Sequence, residues 1–198
     1  NNGKNVFTYD GFSTAYNADG TISASAEMYE DTILECTWDT EAGHFVGEGS
    51  IAALPQEPES IYKSLRYGTE KFLHQCGIKK MTIGLSGGID SAITAAMYAD
   101  VLGAENVLLI NLPSVYNSET TKNIAYNLAK NLGANYAVIP ISHSCEHTEE
   151  QLSSTPITNM ANGSTFNLEL SNIVKENIQA RDRGARIIAA ASAAFGGA

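Results

Sequence analysis

The spacing of apolar residues changes character along the chain. In residues 1–40 they come as short β-type runs, at 6–9, 13–16 and 32–36, with Asn17-Ala18-Asp19-Gly20 as a hairpin-type turn between two of them. Residues 41–60 lose the pattern and gain Gly, Pro and Glu, including Pro55 and Pro58, so they read as a linker. A helical period follows: Ile61, Leu65, Phe72, Leu73 and Cys76 predict a helix over 61–76, stopped by Gly77. An apolar run then enters a glycine turn, and a helix is predicted over 91–102, with Ile93, Ala96, Met97 and Val101 inward and Gly103 ending it. The unbroken apolar stretch 107–112 predicts a strand buried on both faces. A helix is expected over 118–132, capped near Asn117 or Ser118, with Ile124, Leu128 and Leu132 inward and Gly133 closing it. Residues 136–141 form a third strand, 153–165 a loop, and a long helix runs from near Ser171 past Ala190.

Strand, helix, strand, helix, strand with short connections predicts an α/β fold: a parallel sheet with right-handed crossovers, flanked by helices and preceded by a short β segment. Ligands of such sheets sit at the carboxyl ends of the strands. Residues 86–91 and 112–117 both lie there, and are expected to face one crevice.

Composition narrows the class. With 43% hydrophobic and 17% charged residues, the 198-residue chain can bury a core. No apolar run is long enough to predict a membrane-spanning helix. Three scattered cysteines, Cys36, Cys76 and Cys145, make no disulfide framework and fit a reducing cytoplasm; Cys36, inside a β-type run, is expected in the core. The net charge of −10 is uneven: residues 1–62 hold 11 acids and one base, Lys4, whereas 63–198 hold 11 of each. The acidic surplus marks two segments of different character and argues against a nucleic-acid partner.

The candidate chemistry centres on Lys80-Met81-Thr82-Ile83-Gly84-Leu85-Ser86-Gly87-Gly88-Ile89-Asp90-Ser91. A strand, a diglycine turn and a helix start aim backbone N–H groups at one small volume, which suits a phosphate. The stretch lacks the Gly-Lys-Ser/Thr ending of a Walker A loop, and its adjacent glycines do not match GxGxxG. Residues 1–40 hold no nucleophile–base–acid set, and no side chain is assigned a catalytic role. His143-Ser144-Cys145-Glu146-His147 has the letters of an inverted zinc motif, but without a visible third ligand it reads as a polar helix start. Asn162-Gly163-Ser164 reads as a turn. In Glu176-Asn177-Ile178-Gln179-Ala180-Arg181-Asp182-Arg183-Gly184, Asn177 and Arg181 share a helical face, and Arg181 can fork onto a carboxylate or phosphate.

Ser86-Gly87-Gly88-Ile89-Asp90-Ser91 resembles the pyrophosphate-binding loop of the N-type ATP pyrophosphatases. Together with Leu112-Pro113-Ser114-Val115-Tyr116-Asn117-Ser118-Glu119 and the 176–184 stretch, it resembles the NAD synthetase family, in its glutamine-dependent form. The resemblance covers roughly residues 55–198, and residues 5–40 more weakly resemble the last strands of that form's nitrilase-like glutaminase domain. It implies three parts: 1–40, the C-terminal strands of a nitrilase-like (CN hydrolase) glutaminase domain; 41–60, a linker; and 61–198, an ATP pyrophosphatase domain of the adenine nucleotide alpha hydrolase-like, Rossmann-like kind, truncated at its C-terminus.

The implied activity is a ligase reaction. ATP adenylates the nicotinate carboxylate of deamido-NAD, pyrophosphate leaves, and glutamine-derived ammonia displaces AMP to give NAD. Carried over, Ser86, Gly87, Gly88 and Ser91 would hold ATP phosphates, Gly84, Leu85 and Ile89 would line the same pocket, and Asp90 would hold Mg²⁺. Asn177 and Arg181, with Arg183 as a weaker candidate, would contact deamido-NAD. The family continues past Phe195-Gly196-Gly197 and places its glutaminase Cys, Lys and Glu upstream, so the expectation is a fragment inactive alone, from a parent that assembles as a homo-oligomer. The alternatives are another N-type ATP pyrophosphatase, of the GMP synthetase or tRNA-thiolation type, and a nucleotide-binding module without chemistry.

Overall fold

The computed structural model describes residues 7–46, 49–53, 56–113 and 119–197, with backbone alone at 119–122. The chain divides into two units, Asn1–Gly77 and Ile78–Ala198.

The first unit holds two hairpins and a helix. β1 (Thr14–Tyr16) pairs antiparallel with β2 (Ile22–Ser25), and β3 (Thr37–Asp39) with β4 (His44–Val46). The expected turn at residues 17–20 is present: Gly20 N–H donates to Asn17 O, and Gly20 has φ +84°. Its second strand, however, is Ile22–Ser25, and the run 32–36 is not a strand. Ile33 is 87% exposed, and Cys36 is exposed rather than in the core. The second hairpin forms later because Asp39 makes its turn, accepting from the N–H groups of Glu41 (2.8 Å) and Ala42 (2.9 Å), while Trp38 packs edge-on against Phe45. Residues 44–46 are therefore strand, not linker. The run at 6–9 is irregular over its described residues, 7–9. The helix α1 (Glu59–Cys76) ends on Gly77 in the left-handed region, as expected. Of the apolar residues whose spacing predicts it, only Leu73 is buried; Ile61, Leu65 and Phe72 are about half exposed and Cys76 is exposed.

The second unit contains the parallel sheet. β5 (Met81–Gly84), β6 (Val107–Asn111) and β7 (Asn135–Val138) are hydrogen-bonded in that order, all parallel. α2 (Ile89–Leu102) and α3 (Glu119–Leu132) make the crossovers. β6 is central, so both its faces are covered: Val107, Leu109 and Ile110 are 0–1% exposed. Burying such a side chain contributes about 1.5–3 kcal/mol. One core joins Leu85, Val107 and Leu109 to Ala95 of α2 and to Ala125 and Ala129 of α3. Alanine lets these helices approach the sheet closely, and this reverses part of the expected facing: Ile93 is 57% and Ile124 47% exposed. The cap expected at Asn117 or Ser118 lies outside the described residues.

On the other face, Ile110, Leu112 and Ile141 pack with Cys145 of α4 (Ser142–Ser154) and with Ile187. Residues 153–165 are not all loop, since β8 (Ile157–Thr158) pairs antiparallel with β9 (Thr165–Phe166) across the Asn162-Gly163-Ser164 turn. The long terminal helix starts where expected: Ser171 caps it, its Oγ accepting from Val174 N–H. It runs as α5 (Asn172–Arg181), a π-helical segment (Asp182–Ile188) and α6 (Ala189–Phe195). Among the described residues, no helix is long and apolar enough to cross a membrane.

Candidate functional site

β5 ends at Gly84 and the chain turns through Leu85, Ser86, Gly87 and Gly88 before α2 begins. Gly87, at φ +89°, requires glycine, and Gly84 lets Ile188 come close: a Cβ there would lie 2.9 Å from Ile188 Cδ1. The turn is internally braced. Gly88 N–H donates to Ser86 Oγ (3.2 Å), and Ser91 Oγ donates to Gly88 O (2.9 Å). The Ser91 proton being committed there, the 3.0 Å contact between the two hydroxyls is a donation from Ser86 to Ser91. No side chain caps α2 at Gly88, so the first-turn N–H groups of a 14-residue helix are left for an anion. Asp90 is exposed in that first turn, and Ile89 is 71% exposed.

A cleft of about 360 Å³ opens at the carboxyl ends of the strands. Gly84, Leu85 and Ser86 form one wall, Ile110, Asn111 and Leu112 the next, and Arg183 and Ile188 the third. Asn111 is 2% exposed. Its Nδ2 donates to Leu85 O at 2.7 Å, which fixes the amide, and its Oδ1 has no partner among the described residues. Arg183 Nε donates to Leu112 O (3.3 Å), tying the guanidinium to the end of β6.

Of the candidates read from sequence, the cleft thus gathers Gly84, Leu85, Ser86 and Arg183. Gly87, Gly88, Asp90 and Ser91 continue from it into α2. Asn177 and Arg181 do share a face, with Arg181 Nη1 donating to Asn177 Oδ1 at 2.9 Å, but both are exposed on α5 and neither is among the cleft's lining residues. The stretch 114–118 of the expected crevice lies outside the described residues. Sequence reasoning missed Asn111 and Ile188. Asn111 was detectable as the one polar side chain in the apolar run 107–112, at a strand's carboxyl end. His143 and His147 lie on α4, and no group of three or more potential metal ligands occurs among the described residues.

A parallel sheet, a glycine turn into an uncapped helix and a guanidinium across the cleft define an α/β protein that can hold an anionic ligand at its strand ends. The chain belongs to the NAD synthase family, whose sequence model matches residues 61–194. It is 34% identical over 191 residues to the glutamine-dependent NAD(+) synthetase of Synechocystis sp. strain PCC 6803, covering 96% of this chain and 32% of that protein. The corresponding synthetase of Rhodobacter capsulatus is 32% identical over 189 residues, with 95% and 32% covered. Among solved structures, the glutamine-dependent NAD+ synthetase from Acinetobacter baumannii in complex with adenosine diphosphate superposes with a TM-score of 0.79 at 26% identity, over 95% of this chain and 33% of that one. NMN synthetase from Francisella tularensis shares the fold (TM-score 0.59, 23% identity, 71% and 52% covered). The chain spans about a third of the length of the curated relatives it matches. The resemblance drawn from residues 84–91 and 176–184 is borne out at the level of the family, and so is the parallel α/β fold.

Proposed function

We propose that this chain is the nucleotide-handling part of a glutamine-dependent NAD synthetase. The parent protein would adenylate the nicotinate carboxylate of deamido-NAD with ATP, release pyrophosphate, and amidate the activated acid with glutamine-derived ammonia. The carrying observation is the cleft that brings Ser86 of the glycine turn and the Arg183 guanidinium to the same strand ends.

Three features fit a nucleotide. The first-turn N–H groups of α2 have no side-chain cap. Arg183 supplies positive charge at the cleft. Asn111 Oδ1 is a buried acceptor without a donor among the described residues, a deficit that a bound ligand or an ordered water would remove. In this reading Gly84, Leu85, Ser86, Gly87, Gly88, Ile89 and Ser91 form the ATP site. Ser86 and Ser91 orient the turn, and the first-turn N–H groups from Ile89 onward receive phosphate oxygens. Asp90 would hold Mg²⁺, which when bound supplies charge neutralisation along the phosphates. The chain's own part is positioning and fixed positive charge at phosphorus. Asn177 and Arg181, paired on α5, are assigned to deamido-NAD. Arg183, given its position, is assigned to the phosphate side of the reacting pair.

The same proposal takes residues 1–40 as the tail of a nitrilase-like glutaminase domain and 61–198 as the synthetase domain, in a cytoplasmic homo-oligomer. The test measures pyrophosphate release from ATP by the protein containing this chain, with deamido-NAD, xanthosine monophosphate or tRNA as the second substrate and ammonia as donor. Release that depends on deamido-NAD and yields NAD is expected. Release that needs xanthosine monophosphate or tRNA, or ATP binding with no release, overturns the reading.

A further inference from the structure

The cleft's third wall comes from the irregular part of the terminal helix. On a regular α-helix, residues five apart point about 140° away from one another. The segment Asp182–Ile188 is π-helical: Ala189 N–H is shared between Arg186 O and Gly184 O, the latter an i→i−5 bond. Residues five apart then come near to one face, and Arg183 and Ile188, five apart, both line the cleft. Ile188 lies against Gly84, and Arg183 is tied to Leu112 O.

One cluster holds this segment. Arg186 donates through Nε to Asp182 Oδ1 (2.5 Å) and through Nη2 to Asp182 Oδ2 (2.8 Å). The same Nη2 reaches Ser144 Oγ of α4 at 2.7 Å, and Ser144 donates to Asp182 Oδ2 at 2.6 Å. Asp182 is thus held bidentately by a residue of its own segment and singly by the neighbouring helix. Its side chain is only 9% exposed. The pair Asp182–Arg186 spans the turn in which the helix widens, and Ser144 fixes that turn against α4. None of the three is among the residues lining the cleft.

We propose that Ser144, Asp182 and Arg186 are positioning residues that lock the π turn and thereby aim Arg183 at an anion in the cleft. They act through Arg183 and touch no ligand. The chemical class of the anion, a phosphate chain, rests on the function proposed above.

The test titrates the protein containing this chain with ATP, inorganic pyrophosphate and adenosine, as wild type, Ser144→Ala, Asp182→Asn and Arg183→Gln, and with each of the first two combined with Arg183→Gln. Arg183→Gln weakens ATP and pyrophosphate about tenfold and leaves adenosine unchanged. Ser144→Ala and Asp182→Asn weaken the same two ligands several-fold, and each adds less than about twofold once Arg183 is gone. Equal weakening with and without Arg183, or equal weakening of adenosine, overturns the proposal. So does a wild-type protein that binds neither anion. If Asp182→Asn does not fold, Ser144→Ala carries the test alone, since it removes one hydroxyl. Pyrophosphate binding that depends on the lock, in a protein that makes no NAD, supports the lock and overturns the function instead.

Discussion

Replacing Asn111 by Leu tests whether its buried carbonyl waits for a ligand. Two effects oppose each other in the free protein. Leu85 O loses the Nδ2 donor now at 2.7 Å, which costs about 1–3 kcal/mol for an unsatisfied buried carbonyl. The variant also removes Oδ1, a buried acceptor with no partner among the described residues, and this relieves about 1–3 kcal/mol of the same kind. The branched Leu side chain matches the amide's shape, and the adjoining 360 Å³ cleft gives its methyl groups room. Asn111→Leu therefore leaves stability within about 1 kcal/mol of wild type, a shift in Tm within roughly 4 °C. Asn111→Asp, chemically the smaller change, does worse. It sets a carboxylate oxygen against Leu85 O in a site 2% exposed, costing several kcal/mol unless the group protonates.

Ligand affinity moves the other way. If ATP or its retained water satisfies Oδ1, Asn111→Leu weakens ATP about two- to tenfold, one neutral hydrogen bond. Differential scanning calorimetry and an ATP titration on the same two variants give both numbers. A loss above about 3 kcal/mol in Asn111→Leu would show that Oδ1 is already partnered in the free protein. ATP affinity unchanged in a variant of normal stability would remove Asn111 from the site.

Three other outcomes are expected. Asp90→Asn keeps the fold, since the carboxylate is exposed, but lowers Mg²⁺-dependent pyrophosphate release about a hundredfold; activity within about twofold of wild type at every Mg²⁺ concentration refutes the assignment. Leu109→Ala, at 0% exposure between two helices, costs about 2–5 kcal/mol, read as a lower urea midpoint at unchanged slope. Asp182 makes stability acid-sensitive: the hydrogen bond from Arg186, the largest cause, then Ser144 and the charges of Arg186 and Arg183 hold its carboxyl below the usual range, against burial. Its folded pKa being the depressed one, its contribution is complete above the unfolded value of about 3.9 and fades as pH falls through the folded value. The nearby Cys145 thiol is pushed up by burial and then by Asp182, and so does not titrate in that window. Asp182→Asn flattens this acid limb, and parallel acid-unfolding curves for variant and wild type would contradict it.

The sheet was legible because β6 is buried on both faces, and a continuous apolar run has few other places to go. Helix facing was less legible even where polar residues mark the outer side: in α1 only Leu73 of the apolar repeat is buried, and in α3 Ile124 is 47% exposed. In α2 nearly every position is apolar or small, so the large Ile93 drew the inward assignment, whereas Ala95 is the buried residue. Contact with a sheet rewards the side chain that lets the backbone come close, and residue-level hydrophobicity does not record that. The two hairpins of the first unit differ for a similar reason. Asp19-Gly20 announces its turn in adjacent residues, but the second turn depends on Asp39 reaching the N–H groups of Glu41 and Ala42, a bond invisible in a hydrophobic pattern.

The site divides along the same line. The Ser86–Ser91 brace is local, and a reading of six consecutive residues finds it. Asn177 and Arg181 were found because they obey the four-residue spacing, and they do pair. That pairing is also why they explain less of the cleft: a contact satisfied within one helix gives its donors a partner before any ligand arrives. A 3.6-residue period turns Arg183 away from Ile188, so a regular helix does not put the two in one wall. The i→i−5 bond at Gly184 brings the two together, and it depends on Ser144, 38 residues from Asp182 in the chain. A period read from sequence assumes that each helix keeps its own phase, yet here the phase is set by a contact with another helix. The residues that build such a wall are therefore found by asking which long-range polar contact would be left unmade if the helix stayed regular, and in this chain that contact is the one between Asp182 and Ser144.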